Sequence, residues 1–299
     1  MIRKLNQMFE LLKNQGLKRV VVAYANDVHT IEAVHEAVKL NLVSGILVGD
    51  AEIITGACEN LRIDPADFKI VHEPDETVAA KKAVSLINNG EGDLIMKGLV
   101  STDKYMRALL DKEEGVMEPG AILSHVSVVE SKNYHKLLIV GDVAIIPNPE
   151  LKEKIAIVNY LIETARALGI KQPKVALLAA TEQVLPKMTA CVDAALLAKM
   201  AERGHFKRAL VDGPLALDVI VDKQTAQIKN LESQVAGDAD CILFPNIEAG
   251  NVFYKFHTKL SGGETGAVVA GARVPAILSS RGDSVKTKLY SIALGALLA

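Results

Sequence analysis

The sequence predicts an α/β protein built on mostly parallel sheet, in two units. Three observations carry that expectation. Short runs rich in Val, Ile and Leu recur along the chain, and each is followed by a stretch with helical periodicity. The core is aliphatic: of 299 residues, 49% are hydrophobic but 4% aromatic, with no Trp. The alternation breaks once, near the middle, where strand-like runs succeed one another without a helix between them. Apolar strands separated by helices imply a parallel sheet covered on both faces.

In chain order, Met1–Gly16 is amphipathic, with Ile2, Leu5, Phe9 and Leu12 near helical spacing and charges between. KRVVVAYAND leads into a helix over Val28–Lys39, and SGILVGD into Ala51–Asn60. FKIVHEPDE leads into Thr77–Asn88, and GDLIMKGLVSTD into Lys104–Asp111. LSHVSVVESKNYHKLLIVGDVAIIPNP then offers two or three strand-like runs, which suits a hairpin or sheet-edge element. Pro147 and Pro149 punctuate it, and a domain boundary is expected there. A second α/β unit follows, with PKVALLAATE before a helix over Lys187–Arg203 and DCILFPNIEAG before one over Asn251–Leu260. VPAILSSRGDS precedes a last helix running to Ala299.

Composition narrows the function classes. A formal net charge of −2 gives no electrostatic case for nucleic acid or an anionic membrane, and scarce aromatics argue against base stacking. The N-terminus lacks the continuous apolar core of a signal peptide, and no apolar run nears the roughly 18 residues of a membrane span. Cys58, Cys191 and Cys241 are odd in number and far apart, which suits buried thiols in a reducing cytoplasm rather than a disulfide framework or zinc site. His29, Glu32 and His35 lie three apart but match no metal motif, so a solvated helix face is the better reading.

In an open parallel sheet, ligands bind beyond the carboxyl ends of the strands. That rule selects Asn26-Asp27, Lys97-Gly98, Ser101-Thr102-Asp103, Glu182, Asp212-Gly213, Pro245-Asn246 and Ser279-Ser280-Arg281. Hydroxyls, amides and cations dominate, which suits an anion or acyl group better than a metal. SSRGDS is the expected turn between a buried strand and the last helix. Asp283 or Ser284 can cap that helix, its N-terminus can hold an anion, and Arg281 adds a planar fork suited to phosphate. An ordinary capped turn with a surface Arg is the competing reading. The Arg281-Gly282-Asp283 triplet spells an adhesion signal, but its flanks read as buried. LSGGETGAVVAGA could form a phosphate nest, yet it lacks a Walker ending, and glycines that admit a helix explain it better.

Several of these segments together resemble the phosphate acetyl/butyryl transferase family, and most closely its butyryl branch. They are MKGLVSTDKYMRALL, LSHVSVVE, PKVALLAATEQVLPKM, DGPLALDVIV, SQVAGDADCILFPNIEAGNVFYK and VPAILSSRGDS, in that order. The penultimate segment ends in a Gly-Asn-x-x-Tyr-Lys pattern, here Gly250, Asn251, Tyr254 and Lys255. The resemblance implies two doubly wound α/β domains like those of isocitrate and isopropylmalate dehydrogenases, with the active cleft between them. The last strand and helix would return to the first domain, giving residues 1–148 with 272–299 and, separately, 149–271.

The implied reaction converts acyl-CoA and inorganic phosphate into acyl phosphate and coenzyme A, reversibly, in a cytoplasmic enzyme that is usually a homo-oligomer. Coenzyme A is then substrate or product, and no permanently bound cofactor is expected. Ser280, Arg281 and Asp283 are the implied catalytic group. Lys97, Ser101, Thr102, Asn246, Asn251 and Lys255 are the implied phosphate and coenzyme A contacts. One departure stands out. Acetyl-specific relatives carry an Asp seven positions after the signature Ser, proposed as the base for coenzyme A, and this chain has Thr287 there, between Lys286 and Lys288. Asp283 is an alternative base, and a nearby cation acting on a thiol of pKa about 8.5 is another route.

Overall fold

The computed structural model describes residues 2–13, 15–280 and 282–299. The chain divides into two compact units, 6–123 with 265–299, and 124–264 with the N-terminal residues through Leu5.

The first unit opens with α1 (Met8–Leu12) and then alternates strand and helix. The order is β1 (Lys18–Ala23), α2 (Val28–Lys39), β2 (Val43–Gly49), α3 (Ala51–Leu61), β3 (Phe68–His72), α4 (Glu76–Asn88), β4 (Leu94–Lys97) and α5 (Thr102–Leu109). The strands lie parallel in the order β3-β2-β1-β4, with Val21 beside both Ile46 and Ile95. β4 is buried along its whole length, as its LIMK sequence demands of a strand covered on both faces. The helices start where the sequence places a short polar side chain after each strand. Asp27 accepts from the Thr30 N–H, Asp50 from Glu52, Asp75 from Thr77 and Ser101 from Lys104. These N-caps fix each turn at the carboxyl edge of the sheet.

The second unit begins with a hairpin, β5 (Ser124–Glu130) antiparallel to β6 (Leu138–Gly141). It continues through α6 (Leu151–Ala167), β7 (Lys174–Leu178), α7 (Thr189–Glu202), β8 (Leu210–Leu215), α8 (Leu217–Val221), α9 (Lys223–Ile228), β9 (Cys241–Leu243) and α10 (Ile247–Lys255). Its strands run in the order β5-β6-β9-β7-β8. A core of Val140, Ala176, Leu215, Ile220, Ile242 and Phe244 lies against them. The chain then returns to the first unit as β10 (Glu264–Ala270), β11 (Ala276–Ile277) and α11 (Val285–Leu298). β11 runs parallel to β4 and antiparallel to β10.

Two expectations differ from this arrangement. The units part at 123/124 and 264/265, not at 148/149 and 271/272. Hydrogen bonding is the reason: β6 pairs in parallel with β9, Ile139 beside Cys241, and so draws the hairpin into the second unit. Pro147 and Pro149 mark only the loop before α6. Helix α10 starts at Ile247 rather than Asn251 because Asn246 caps it, its Oδ1 accepting from the Ala249 N–H at 3.0 Å.

The glycine-rich segment forms β10, where a Cβ on Gly266 would lie 2.9 Å from the backbone of Tyr290. That glycine admits helix α11, as its sequence suggested. All three cysteines are buried and unpaired. Among the described residues no helix is long and apolar enough to cross a membrane.

Candidate active site

The carboxyl edge of the first unit brings one group of candidates together. Lys97 ends β4 and is 3% exposed, with its Nζ donating to the carbonyls of Gly98 and Val100 at 3.1 and 2.8 Å. The loop after β4 is pressed against the end of β1. The Gly98 N–H donates to Ala23, and a Cβ on Gly98 would lie 2.3 Å from the Tyr24 carbonyl. Ser279 reaches the same strand end, its Oγ donating to the Lys97 carbonyl at 3.4 Å. The two strand ends carrying Lys97 and the serine pair are therefore adjacent, as the parallel register of β4 and β11 requires.

The turn from β11 to α11 is closed by its own polar groups. The Ser280 N–H donates to the Asp283 carboxylate at 2.7 Å, and the Asp283 N–H returns to the Ser280 carbonyl at 3.1 Å. Ser284, not Asp283, caps the helix, with its Oγ accepting from the Thr287 N–H at 3.1 Å. Ser280 is left exposed on this turn. Arg281 lies outside the described residues. Thr287 sits in the first turn of α11, where its Oγ1 accepts from Ser284 and its carbonyl from Ser291. Lys288 follows and is buried, with its Nζ 3.4 Å from the Ser280 carbonyl.

Ser101 and Thr102 stand at the start of α5. The Ser101 N–H donates to Glu76 at 2.6 Å, while its hydroxyl caps the helix. Glu76 also pairs with Lys104, and its hydrogen bond holds that ammonium above the usual lysine pKa. Thr102 is exposed at the first helical position.

The remaining candidates belong to the second unit and gather at the carboxyl ends of β6 and β9. Asp142, directly after β6, is 2% exposed and accepts four hydrogen bonds. They come from the Ser124 hydroxyl and from the backbone of His125, Ala144 and Ile145. Helix α10 seats on this loop. A Cβ on Gly250 would lie 2.1 Å from the Asp142 carbonyl, and the Asn251 amide donates to Val143 at 3.0 Å. Asn246 and Asn251 thus carry structural duties at the ends of these strands. Lys255 is exposed, 5.6 Å from the Tyr254 ring centre.

Sequence reasoning passed over Glu76, Asp142 and Lys288. Asp142 follows an apolar run directly, as the selected residues do, so the strand-end rule could have found it. Glu76 and Lys288 lie on helices, and their surroundings depend on other segments.

The family described as Phosphate acetyl/butaryl transferase matches residues 75–296. Phosphate butyryltransferase of Clostridium acetobutylicum is 44% identical over 299 residues, covering 100% of this chain and 99% of that protein. Phosphate acetyltransferase of Thermotoga maritima is 38% identical over 295 residues, covering 99% of each. Among solved structures, a branched-chain phosphotransacylase from Enterococcus faecalis V583 superposes with a TM-score of 0.81 at 29% identity, covering 94% of this chain and 99% of that one.

Proposed function

The chain belongs to the Phosphate acetyl/butaryl transferase family, and on that premise we propose that it interconverts a short-chain acyl-CoA and inorganic phosphate with acyl phosphate and coenzyme A, butyryl-CoA being the favoured substrate. The observation that carries this reading is the Ser279–Ser284 turn, which lies inside the matched span and leaves Ser280 exposed beside the buried strand end of Lys97.

Phosphate is already an ionised nucleophile. It attacks the thioester carbonyl, the carbon–sulfur bond breaks, and coenzyme A leaves as the thiolate. No covalent enzyme intermediate is needed. Holding phosphate in line with the carbonyl is the main task, and positioning of this kind is worth several kcal/mol, on the order of 7 or more at best. The Ser280 hydroxyl donates to the carbonyl oxygen or the departing sulfur as charge develops there. Asp283 holds the Ser280 backbone from 2.7 Å, a positioning contact that uses a carboxylate oxygen on the turn. Arg281 keeps the phosphate-binding role its sequence position implies. Lys97, Ser101, Thr102, Asn246, Asn251 and Lys255 are assigned to the substrates. Coenzyme A serves as substrate or product, without a resident cofactor. A cytoplasmic homo-oligomer acting on soluble acyl-CoA, apart from nucleic acid and membrane, completes the reading.

The phosphate acetyltransferase relative supports acetyl-CoA as the second substrate reading. Thiol release from acetyl-, propionyl-, butyryl- and branched acyl-CoA, with and without phosphate, tests both. Phosphate-dependent release fastest with butyryl-CoA is expected. Folded protein that releases no thiol from any of the four would sink the assignment.

A further inference from the structure

Helix α11 opens with a placement that folding alone disfavours. Lys288 lies in its first turn and is 3% exposed. Its ammonium donates to the Ser280 carbonyl at 3.4 Å, and among the described residues no carboxylate lies within ion-pair distance of it. Asp283, the acid of the same turn, accepts from the Ser280 N–H instead. An ammonium carries three donors, so one long bond leaves most of its capacity unmet. Burying a cation without a counter-charge is costly, and the first turn of a helix adds a positive field that repels it. Capping does not require it, because Ser284 already fills that role.

A ligand carrying negative charge removes both penalties at once. We propose that Lys288 binds the phosphoryl group, of inorganic phosphate in one direction and of the acyl phosphate in the other, from beneath the Ser279–Ser284 turn. This deepens the reaction proposed above and rests on it for the identity of the substrates. A phosphoryl dianion fits better than a thiolate, because several oxygens can share a buried ammonium and the positive end of the helix. The lysine is a second cation for the site, supplied by the helix and not by the turn that carries Arg281.

The test uses Lys288→Met in the full chain, a change that keeps the length of the side chain and removes its charge. Thermal unfolding is measured with and without inorganic phosphate, and initial rates are measured with butyryl-CoA over a range of phosphate concentrations. Without phosphate, the variant is expected to melt at or above the wild-type temperature. Phosphate should raise the wild-type midpoint and leave that of the variant unmoved. The KM for phosphate should rise at least tenfold while that for butyryl-CoA stays within twofold.

A lower midpoint with an unchanged phosphate KM would make Lys288 a structural residue and overturn the proposal. So would a phosphate-induced shift retained in full, or an effect confined to the pH profile of the coenzyme A-consuming direction, which would mark a cation for the thiolate. Lys288→Gln repeats the comparison if the Met variant does not fold. A wild-type phosphate shift without turnover would defeat the reaction and leave the anion site standing. Turnover with an unaltered phosphate KM in the variant would do the reverse.

Discussion

Lys136 and Lys288 are both nearly buried, at 7% and 3% exposure, and their surroundings are opposite. Lys136 is 2.7 Å from the Asp240 carboxylate and 2.9 Å from that of Asp238, and it also donates to the Asp238 carbonyl at 2.7 Å. Asp238 in turn receives Lys174 at 2.6 Å and His135 at 2.8 Å. The cluster lies at the amino ends of β7 and β9, the edge where parallel sheets do not place ligands. Lys288 lies at the opposite kind of edge, beyond the carboxyl end of β11, where among the described residues its ammonium meets the Ser280 carbonyl and no carboxylate. A buried cation surrounded by carboxylates is accounted for by folding, and the phosphoryl group proposed for Lys288 is the counter-charge that its own surroundings do not supply.

The comparison breaks most visibly on removing Lys136. Lys136→Met strands two carboxylates, one of them 3% exposed, and should cost about 3–5 kcal/mol in a denaturant titration. The corresponding change at Lys288 should cost nothing. Equal losses at the two positions would erase the distinction.

Asp142 sharpens it from the anionic side, as a buried carboxylate satisfied by hydrogen-bond donors. Asp142→Asn turns an amide NH2 toward backbone N–H groups and should cost about 2–3 kcal/mol. Loss of acyl transfer beyond the loss of folded protein would show that the seat of α10 matters to the site.

A smaller effect concerns acid. Burial pushes the Asp238 carboxyl up, but hydrogen bonds from Lys174, Lys136 and His135 outweigh it and hold the group well below the usual carboxylate range. A depressed pKa contributes stability above the unfolded value, about 3.9, and that stability is lost as pH falls below it. Acid unfolding should therefore steepen below about pH 4. Because Asp238 is 40% exposed, solvent screening limits the effect, and Asp238→Asn should cost about 1 kcal/mol at pH 7 and flatten the acid limb. An unchanged acid limb would remove Asp238 from the balance.

The smallest change in stability is expected at Thr287. Thr287→Asp places a carboxylate in the first turn of α11, a gain of about 0.3–1 kcal/mol by the helix dipole. The same charge beside Lys288 should raise the KM for phosphate several-fold. A higher melting temperature with unaltered phosphate use would argue against an anion at that lysine.

Much of the fold is legible in short stretches. VVVA, GILVG and LIMK read as buried strands, and each is followed by the polar residue that caps the next helix, Asp27, Asp50 or Ser101. The Ser279–Ser284 turn is legible in the same way, because a strand end, a cap and a helical stripe lie within a few residues. Both hairpin strands were visible, but not the partner that decides where the hairpin belongs. β6 pairs with β9 about a hundred residues later, a partner that two prolines in the following loop do not reveal.

Local patterning by itself determined the alternation of strand and helix, the caps, and the edge of the sheet where polar residues collect. These depend on backbone geometry and side-chain periodicity over about ten residues. Tertiary structure decided which unit owned the hairpin, that Asp283 closes the turn while Ser284 caps the helix, and that Asn251 is tied to Val143. It also decided that Lys286 is exposed while Lys288, two residues on, is buried with no carboxylate beside it among the described residues. Burial and charge balance arise from segments far apart in the chain, and no local pattern of charges contains them.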